Sequence, residues 1–284
     1  MIKVLHLDEN HEILENGLAK IGFKNFFDFK SNKKEIAKKI EKFHGLVIRS
    51  RIPIDEDLID HAKNLKFIAR VGSGTENIDI EYAKKRGITI LSAGEGNANA
   101  VGEHTLSLIL SLFNNIIKAN NEINNNVWQR EENRGIELEN KTVGIIGYGK
   151  TGKNFAKKLA GFNVKVLCND IIENIGDDYA EQVSIDEIQS KCDIISLHTD
   201  LNKLSKHLVN THFIDNCKKP FYLINTSRGL CVKTSDLILG IKTGKILGAC
   251  LDVIENESSS FENLNQDSYL DFLKKSEKVI LTPH

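Results

Sequence analysis

Three side chains that can bind an anion or exchange a proton follow strand-like runs in the second half of this chain. They are Arg228, Glu257 and His284. The planar fork of an arginine binds a carboxylate, a histidine exchanges a proton near neutral pH, and a neighbouring carboxylate fixes the tautomer of that histidine. This combination suits the oxidation of a hydroxy acid, so we predict that these three residues are catalytic. An alternative for Glu257, a solvated residue of a polar loop, stays open.

A glycine-rich turn lies between the apolar run 142–146 and a helical segment that covers 152–160. One glycine permits a tight turn, a second lets a phosphate approach the backbone, and a third lets the helix pack closely on the strand. Free N–H groups at the start of that helix attract phosphates. The turn therefore predicts a pyrophosphate site made by Gly147, Gly149, Lys150, Thr151 and Gly152.

An acidic residue, Asp170, directly follows the next strand-like run, 164–169. A carboxylate at this place accepts hydrogen bonds from the ribose hydroxyls of a dinucleotide and repels a 2′-phosphate. We therefore predict that the cofactor is NAD rather than NADP. The alternative is a glycine turn in a similar fold that binds nothing.

Strand-like and helical segments alternate along both halves of the chain, which predicts parallel sheets with right-handed crossovers. The strand-like runs are 2–7, 46–48, 67–71, 88–91, 142–146, 164–168, 193–197, 222–225, 248–253 and 279–281. The runs of the second half are continuously apolar, which indicates a sheet that is covered on both faces. We therefore predict an α/β protein with two doubly wound parallel-sheet domains.

A turn-rich stretch, 92–97, is the predicted domain boundary. One long helix is predicted behind it, over 101–123, and the middle of that helix is apolar nearly all round. Such a helix must be covered on several faces. A core helix between domains and a subunit interface both satisfy this requirement. Outside the motifs, His104 is the one histidine that we keep as a candidate site residue, because it lies at the start of this helix.

Composition narrows the class of protein. The chain has 284 residues, of which 40% are hydrophobic and 27% charged, and its formal net charge is -1. These values are typical of a globular enzyme, and they favour neither nucleic acid nor an anionic membrane as a partner. The five cysteines form no CxxC pair, which indicates reduced, buried thiols and no metal site. Without a signal peptide or an apolar run of membrane-spanning length, the expected location is the cytoplasm.

The order of these motifs resembles the D-isomer-specific 2-hydroxyacid dehydrogenases. The resemblance rests on the glycine turn, Asp170, Asn-Thr-Ser-Arg-Gly at 225–229, Leu-Asp-Val at 251–253 with Glu257, and Thr-Pro-His at 282–284. Upstream, residues 70–79 look like the family's substrate-carboxylate loop, and Asn97 with 101–103 looks like the entry to its interdomain helix. The similarity covers nearly the whole chain.

The resemblance implies a role for each of these positions. Arg228 would bind the substrate carboxylate and carbonyl oxygen, His284 would be the general acid/base, and Glu257 would be its partner. Asp252 would contact the nicotinamide carboxamide, with a turn acid as the alternative. The other implied cofactor contacts are His198, Thr199, Thr226, Ser227 and Arg228, and the other implied substrate contacts are Ser73, Gly74 and Asn97.

The resemblance also implies a flavodoxin-like substrate-binding domain over 1–96 and a Rossmann NAD-binding domain over 97–284, assembled as a homodimer through the long helix. Family members continue beyond the position of His284 with a segment that returns to the first domain. That segment is absent here, and we expect the native chain to continue.

Arg49 and Arg51 are candidate ligands for a second anionic group, because they stand two residues apart just beyond a strand-like run. This stretch resembles that of D-3-phosphoglycerate dehydrogenases, so we predict oxidation of 3-phosphoglycerate to 3-phosphohydroxypyruvate in serine biosynthesis. If both arginines are surface or interdomain salt-bridge residues instead, glyoxylate or hydroxypyruvate reduction is the alternative. A catalytically impaired NAD-binding scaffold, or a corepressor-like module, is the second alternative.

Overall fold

The computed structural model describes residues 1–255 and 268–284. The chain divides into two compact units, Met1–Asn97 and Ala98–His284. Glu257, a predicted catalytic residue, lies outside the described residues. Within the described ranges, no helix is both long enough and apolar enough to cross a membrane.

The first unit contains a parallel sheet of five strands. The strands are β1 (Lys3–His6), β2 (Lys24–Phe27), β3 (Gly45–Ile48), β4 (Phe67–Arg70) and β5 (Thr89–Ser92). Their order across the sheet is β2-β1-β3-β4-β5. This order is that of the flavodoxin-like doubly wound fold, and it confirms the predicted fold of this unit.

Four short helices connect the strands of the first unit: α1 (Glu12–Lys20), α2 (Lys33–Ala37), α3 (Glu56–His61) and α4 (Ile80–Lys85). The side chains of Asn32, Asp55 and Asp79 accept hydrogen bonds from backbone N–H groups in the first turns of α2, α3 and α4. These caps satisfy donors that a helix leaves unpaired at its start. Local polar residues therefore determine where these three helices begin.

The second unit contains a parallel sheet of seven strands. They are β6 (Thr142–Ile146), β7 (Lys165–Asn169), β8 (Glu181–Gln182), β9 (Ile194–Leu197), β10 (Phe221–Asn225), β11 (Ile246–Leu251) and β12 (Val279–Leu281). The order β12-β11-β10-β9-β6-β7-β8 reverses direction between β6 and β9. That reversal is the topological switch point of a Rossmann sheet, where ligands bind outside the carboxyl ends of the strands. The predicted Rossmann fold is confirmed.

In the described part of the second unit, seven α-helices pack around this sheet or lead into it: α5 (Gly94–Phe113), α6 (Ile116–Asn124), α7 (Lys150–Leu159), α8 (Ile185–Lys191), α9 (Thr211–Asn216), α10 (Thr234–Lys242) and α11 (Ser268–Lys275). Successive side chains of a strand point to opposite faces, and the apolar ones fall into two buried clusters accordingly. Ile195 and Leu223 belong to one cluster, and Ile194 and Ile224 belong to the other. The sheet is therefore covered on both faces, as its apolar strands predict.

The prediction of one long helix over 101–123 is wrong in two respects. Helix α5 begins at Gly94, inside the stretch predicted as a turn, so the division between the units at Asn97 falls within α5. The helix also ends at Phe113, and α6 starts again after Asn115, which has a left-handed backbone with φ of 51°. Asparagine tolerates this conformation better than most residues, so it allows a break that an apolar pattern does not reveal.

All five cysteines are buried and unpaired. Burial raises the pKa of Cys168 and of Cys217 to about 11, so both thiols stay protonated at neutral pH. In the part of the chain that the structure describes, no group of three histidine, cysteine or acidic side chains could hold a metal ion.

Candidate active site

The described candidate residues of the second unit follow the carboxyl ends of neighbouring strands. In spatial order these positions are Thr282 and His284 after β12, Asp252 after β11, Thr226 to Arg228 after β10, His198 and Thr199 after β9, Gly147 after β6 and Asp170 after β7. Since parallel strands end at one edge of their sheet, all of these residues lie along that edge. The structure therefore places them in a single row.

The three glycines of the turn are each required for a different reason. Gly147 has φ of +88°, and a Cβ there would lie 2.6 Å from the carbonyl oxygen of His198. A Cβ on Gly152 would lie 2.3 Å from the carbonyl oxygen of Gly147. A Cβ on Gly149, in contrast, would meet no atom within 4 Å. Gly147 and Gly152 are needed by the fold itself, whereas Gly149 leaves open space where a ligand can approach the backbone.

Helix α7 begins directly after Gly149, with Lys150 and Thr151 in its first turn. Its N-cap residue is Gly149, which has no side chain to cap the helix. The N–H groups at a helix start and the positive end of the helix dipole attract an anion. This arrangement fits the pyrophosphate of a dinucleotide.

Asp170 is joined to the same turn by one hydrogen bond and to its own loop by another. Its carboxylate accepts from the backbone N–H of Tyr148 at 2.6 Å and of Ile172 at 3.0 Å. Tyr148 is fully buried, and its hydroxyl donates to Asp177 at 2.7 Å. The turn is therefore fixed on the β7 side by a residue that the motif treats as variable, and Tyr148 was missed for that reason.

The side chain of His198 is buried against the turn. Its Nε2 lies 2.9 Å from the hydroxyl of Ser196, and its ring stacks on Phe155 with 5.5 Å between centroids. Burial lowers the pKa of His198 to about 3, so the ring is neutral. The hydroxyl of the next residue, Thr199, lies 3.5 Å from the Sγ of Cys231.

The turn after β10 is held by Asn225, and it determines where Arg228 lies. The Oδ1 of Asn225 accepts from the backbone N–H and the hydroxyl of Ser227, at 3.1 and 2.8 Å, and its Nδ2 donates to the carbonyl oxygen of Arg228 at 3.0 Å. Thr226 is buried, and its hydroxyl lies 3.1 Å from that of Thr105. Thr226 and Ser227 therefore shape the turn, and Arg228 leaves it half-buried.

Asp252 contacts three side chains through its two carboxylate oxygens. Its Oδ1 accepts from the hydroxyl of Thr282 at 2.5 Å and lies 3.0 Å from Nε2 of His104. Its Oδ2 lies 3.2 Å from Nδ1 of His284. Burial raises the pKa of Asp252, but hydrogen bonds from His284 and Thr282 outweigh burial and leave that pKa below its usual value. The carboxylate is therefore ionised, and it lies between two imidazole rings.

These contacts show which of the predicted residues the structure brings together around His284. The acid that contacts His284 among the described residues is Asp252, for which the resemblance implies a different role, the nicotinamide carboxamide. His104 was a candidate only because it lies at the start of a predicted helix. The structure brings its ring to the carboxylate of Asp252. Glu257 is not described, and its role stays a prediction.

The candidate substrate residues of the first unit divide into two groups. Ser73 and Gly74 lie in the loop after β4, and Asn97 is exposed in the first turn of α5. Arg49 directly follows β3 and is exposed, while its backbone is bonded to Asp8 and Asn77. The substrate-binding role of these four residues stays a prediction.

The predicted phosphate-binding pair of Arg49 and Arg51 needs correction. The guanidinium of Arg51 donates to three backbone carbonyl oxygens, those of Leu7 and Ser31 at 2.6 Å and that of Asp28 at 2.9 Å. A fork that is committed to carbonyl oxygens on three sides is a poor ligand for phosphate. Arg51 therefore joins two loops of the first unit, and of the pair Arg49 remains as a candidate anion ligand.

Comparison with known proteins agrees with this geometry. Residues 106–284 match the model of the D-isomer specific 2-hydroxyacid dehydrogenase, NAD binding domain. The chain therefore belongs to the D-isomer-specific 2-hydroxyacid dehydrogenase family, as its motifs predict, and carries that family's NAD-binding domain. Gly149, the start of α7 and Asp170 are the residues that fit NAD.

Individual relatives carry different names. The chain is 33% identical over 258 residues to a D-3-phosphoglycerate dehydrogenase of Archaeoglobus fulgidus, covering 89% of this chain and 47% of the relative. It is 33% identical over 252 residues to a hydroxypyruvate reductase of Thermotoga maritima, covering 89% of this chain and 80% of the relative. The chain thus spans about half the length of the first relative. Sequence similarity therefore establishes the family and leaves the substrate open.

A solved structure of similar fold contains both NAD and a hydroxy acid. The D-lactate dehydrogenase from Aquifex aeolicus, complexed with NAD and lactic acid, superimposes with a TM-score of 0.81 at 28% identity, covering 99% of this chain and 87% of that chain.

Proposed function

We propose that this protein is an NAD-dependent dehydrogenase of small D-2-hydroxy acids. The observation that carries the proposal is the contact of 3.2 Å between Nδ1 of His284 and the buried carboxylate of Asp252, in the same row of strand ends as the dinucleotide turn. A histidine fixed by an ionised carboxylate is the arrangement that a general base requires.

The chain's own residues supply three parts of the reaction. Arg228 binds the substrate carboxylate and polarises the C2 oxygen. His284 takes the hydroxyl proton at Nε2, since Nδ1 faces Asp252, and Asp252 stabilises the imidazolium that results. When bound, NAD supplies the acceptor for the hydride that leaves C2. In the reducing direction the same residues act in reverse, and His284 returns the proton.

For the substrate we put 3-phosphoglycerate first. Arg49 is the residue that would hold its phosphate, since it is exposed at the end of β3 and its backbone is fixed by Asp8 and Asn77. The product would be 3-phosphohydroxypyruvate, an intermediate of serine biosynthesis. The similarity to a D-3-phosphoglycerate dehydrogenase supports this order.

Reduction of hydroxypyruvate or glyoxylate is the second candidate. The observation that favours it is the guanidinium of Arg51, whose donors are directed to Leu7, Ser31 and Asp28. With Arg51 directed to these carbonyl oxygens, Arg49 alone of the pair is left for a second anionic group, and glyoxylate and hydroxypyruvate have no such group.

The predicted homodimer is part of this proposal. Apolar side chains are exposed on α6 and just beyond it, namely Ile116 at 53%, Ile117 at 47%, Ile123 at 50% and Trp128 at 83%. A cluster of exposed apolar side chains is typical of a surface that another protein covers. A cytoplasmic location, which the five unpaired thiols favour, is proposed with it.

One assay tests the proposal and orders the substrates. The purified protein is mixed with NAD and 3-phosphoglycerate plus a trap for the product, and separately with NADH and hydroxypyruvate or glyoxylate, while NADH absorbance is followed. We expect turnover with NAD(H) and little with NADP(H). Tight NAD binding without turnover of any of these acids would contradict the proposal and favour the scaffold or corepressor-like alternative.

A further inference from the structure

We propose that His104 is a positioning residue for His284 and acts through the carboxylate of Asp252. The inference rests on the proposed function, since positioning matters for catalysis only if His284 is the general base. Its starting point is that His104 lies 148 residues before Asp252 in the chain and contacts it at 3.0 Å.

The protons of this cluster can be assigned from its contacts. Thr282 has one hydroxyl proton, and it donates that proton to Oδ1 of Asp252. Nε2 of His104 therefore faces two acceptors, Oδ1 of Asp252 at 3.0 Å and the hydroxyl oxygen of Thr282 at 3.2 Å. A bare ring nitrogen there would place its lone pair against theirs, so His104 must carry a proton on Nε2.

The same reasoning assigns His284. Its Nδ1 faces the ionised Oδ2 of Asp252, so Nδ1 carries a proton. In the neutral ring Nε2 then carries the lone pair, so it is the atom that can accept a substrate proton. The tautomer of His284 depends on where Oδ2 of Asp252 lies.

Two donors on Oδ1 fix the orientation of the Asp252 carboxylate. With a hydrogen bond from Thr282 alone, the carboxyl group of Asp252 can still rotate, because the Thr282 hydroxyl can donate to either of its two oxygens. A second donor from His104, which belongs to a different element, opposes that rotation. His104 thereby keeps Oδ2 directed at His284.

Helix α5 can transmit this constraint because its first part is fixed to the site. The hydroxyl of Thr105, next to His104, lies 3.1 Å from that of Thr226 after β10. A Cβ on Gly102 would lie 3.0 to 3.1 Å from backbone atoms of Asn154 and Phe155, so α5 packs closely on α7. The ring of His104 thus has a rigid support.

The exposure of the three side chains is consistent with a role at the site. The side chain of Asp252 is 10% exposed, whereas those of His104 and His284 are 41% and 37% exposed. Among the described residues, Asp252 and Thr282 are the hydrogen-bond partners of the His104 ring. The His104 ring therefore contacts the carboxylate that faces His284 and the hydroxyl that donates to that same carboxylate.

The test compares two side chains of similar length that differ in their donor. His104→Gln keeps an N–H donor, whereas His104→Met keeps the length without one. His212, exposed on α9 with Asn216 as its contact, provides the matched controls His212→Gln and His212→Met. Each protein is measured for kcat, KM and NAD affinity, and for the tautomer of the neutral His284 ring by NMR on ¹⁵N-histidine protein.

We expect His104→Met to lower kcat by about tenfold or more with KM and NAD affinity nearly unchanged, and to reduce the fraction of the Nδ1–H tautomer of His284. His104→Gln should restore both values to within about threefold of the parent. Parental kcat and tautomer in His104→Met would overturn the proposal. Equal losses in both variants, together with lower thermal stability, would show a merely structural role and overturn it as well.

The tautomer measurement separates the two hypotheses. If the parent turns over no D-2-hydroxy acid while the tautomer of His284 still responds to His104→Met, the proposed function fails and the positioning role remains. If turnover is present and the tautomer does not respond, the positioning role alone fails.

Discussion

Oδ2 of Asp252 lies 3.2 Å from Nδ1 of His284, and the two residues follow adjacent strands, β11 and β12. The second oxygen of the same carboxylate is bonded to Thr282 and contacts His104. One buried anion therefore connects the candidate base to a hydroxyl and to a second histidine.

Asp252→Asn tests this connection. An amide has one acceptor oxygen, so it cannot accept from His284 on one side and from Thr282 on the other. We expect kcat to fall by about a hundredfold or more, since the tautomer of His284 is no longer fixed. Steady-state kinetics give kcat, and fluorescence titration gives the NAD dissociation constant.

The NAD affinity of Asp252→Asn decides between two roles. Affinity that stays within about fivefold of the parent agrees with a partner of His284. A large loss of affinity with kcat retained would instead support the nicotinamide contact that the family resemblance implies.

Gly149→Ala should separate NAD binding from folding. A Cβ at Gly149 meets nothing within 4 Å, so the variant should melt within a few degrees of the parent, but the methyl group occupies the side from which a pyrophosphate approaches. We expect the NAD dissociation constant to rise by about tenfold or more. Gly161→Ala, which also meets nothing within 4 Å, is the control and should change neither quantity. Normal NAD affinity in Gly149→Ala would show that the pyrophosphate does not bind at this turn.

Much of this site was predictable because its motifs are local. The glycine turn and Asp170 are recognisable from a strand, a turn and a helix that follow one another in the chain, and the structure brings them together. The role of His104 was not predictable in this way, because spacing along a chain carries no information about a partner 148 residues away.

Predictions failed where the sequence carries no hydrophobic pattern. Strand β2 (Lys24–Phe27) was missed because it is a short edge strand without a buried residue, so it lacks an apolar pattern. The break after α5 depends on the backbone of Asn115 rather than on hydrophobic periodicity. Arg51 was misassigned because its partners are backbone carbonyl oxygens, which any sequence provides.

Arg49→Met and Arg51→Met should have opposite consequences. Arg51→Met leaves three carbonyl oxygens without their donor and should destabilise the protein by about 2 kcal/mol or more. Arg49→Met should leave the melting temperature unchanged and raise KM for 3-phosphoglycerate by about tenfold or more, with KM for hydroxypyruvate within about threefold. Thermal melts and kinetics on both substrates provide the data. Equal effects of Arg49→Met on the two substrates would argue against a phosphate ligand.

Because of Asp236, the free energy of unfolding should depend on pH in the acid range. Burial raises its pKa, but hydrogen bonds from Thr211, Ser235 and Lys233 outweigh burial and lower the pKa from 3.8 to about 2. A carboxylate whose pKa is lower in the folded state stabilises the fold above its unfolded pKa, and this stabilisation is lost as the pH falls through the folded pKa. Between about pH 5 and pH 2 the parent should therefore lose more unfolding free energy than Asp236→Asn, as denaturant titrations can measure. Identical pH dependence in the two proteins would contradict this assignment.

We propose that Arg228, Asp252 and His284 serve the oxidation of a D-2-hydroxy acid by NAD. The most direct measurement is the initial rate of NADH formation from the D and L enantiomers of one 2-hydroxy acid, made with the parent and with Arg228→Ala. We expect turnover of the D enantiomer alone in the parent, and loss of that turnover in Arg228→Ala with NAD affinity within about a few-fold of the parent. Turnover of the L enantiomer, or activity that persists in Arg228→Ala, would contradict it.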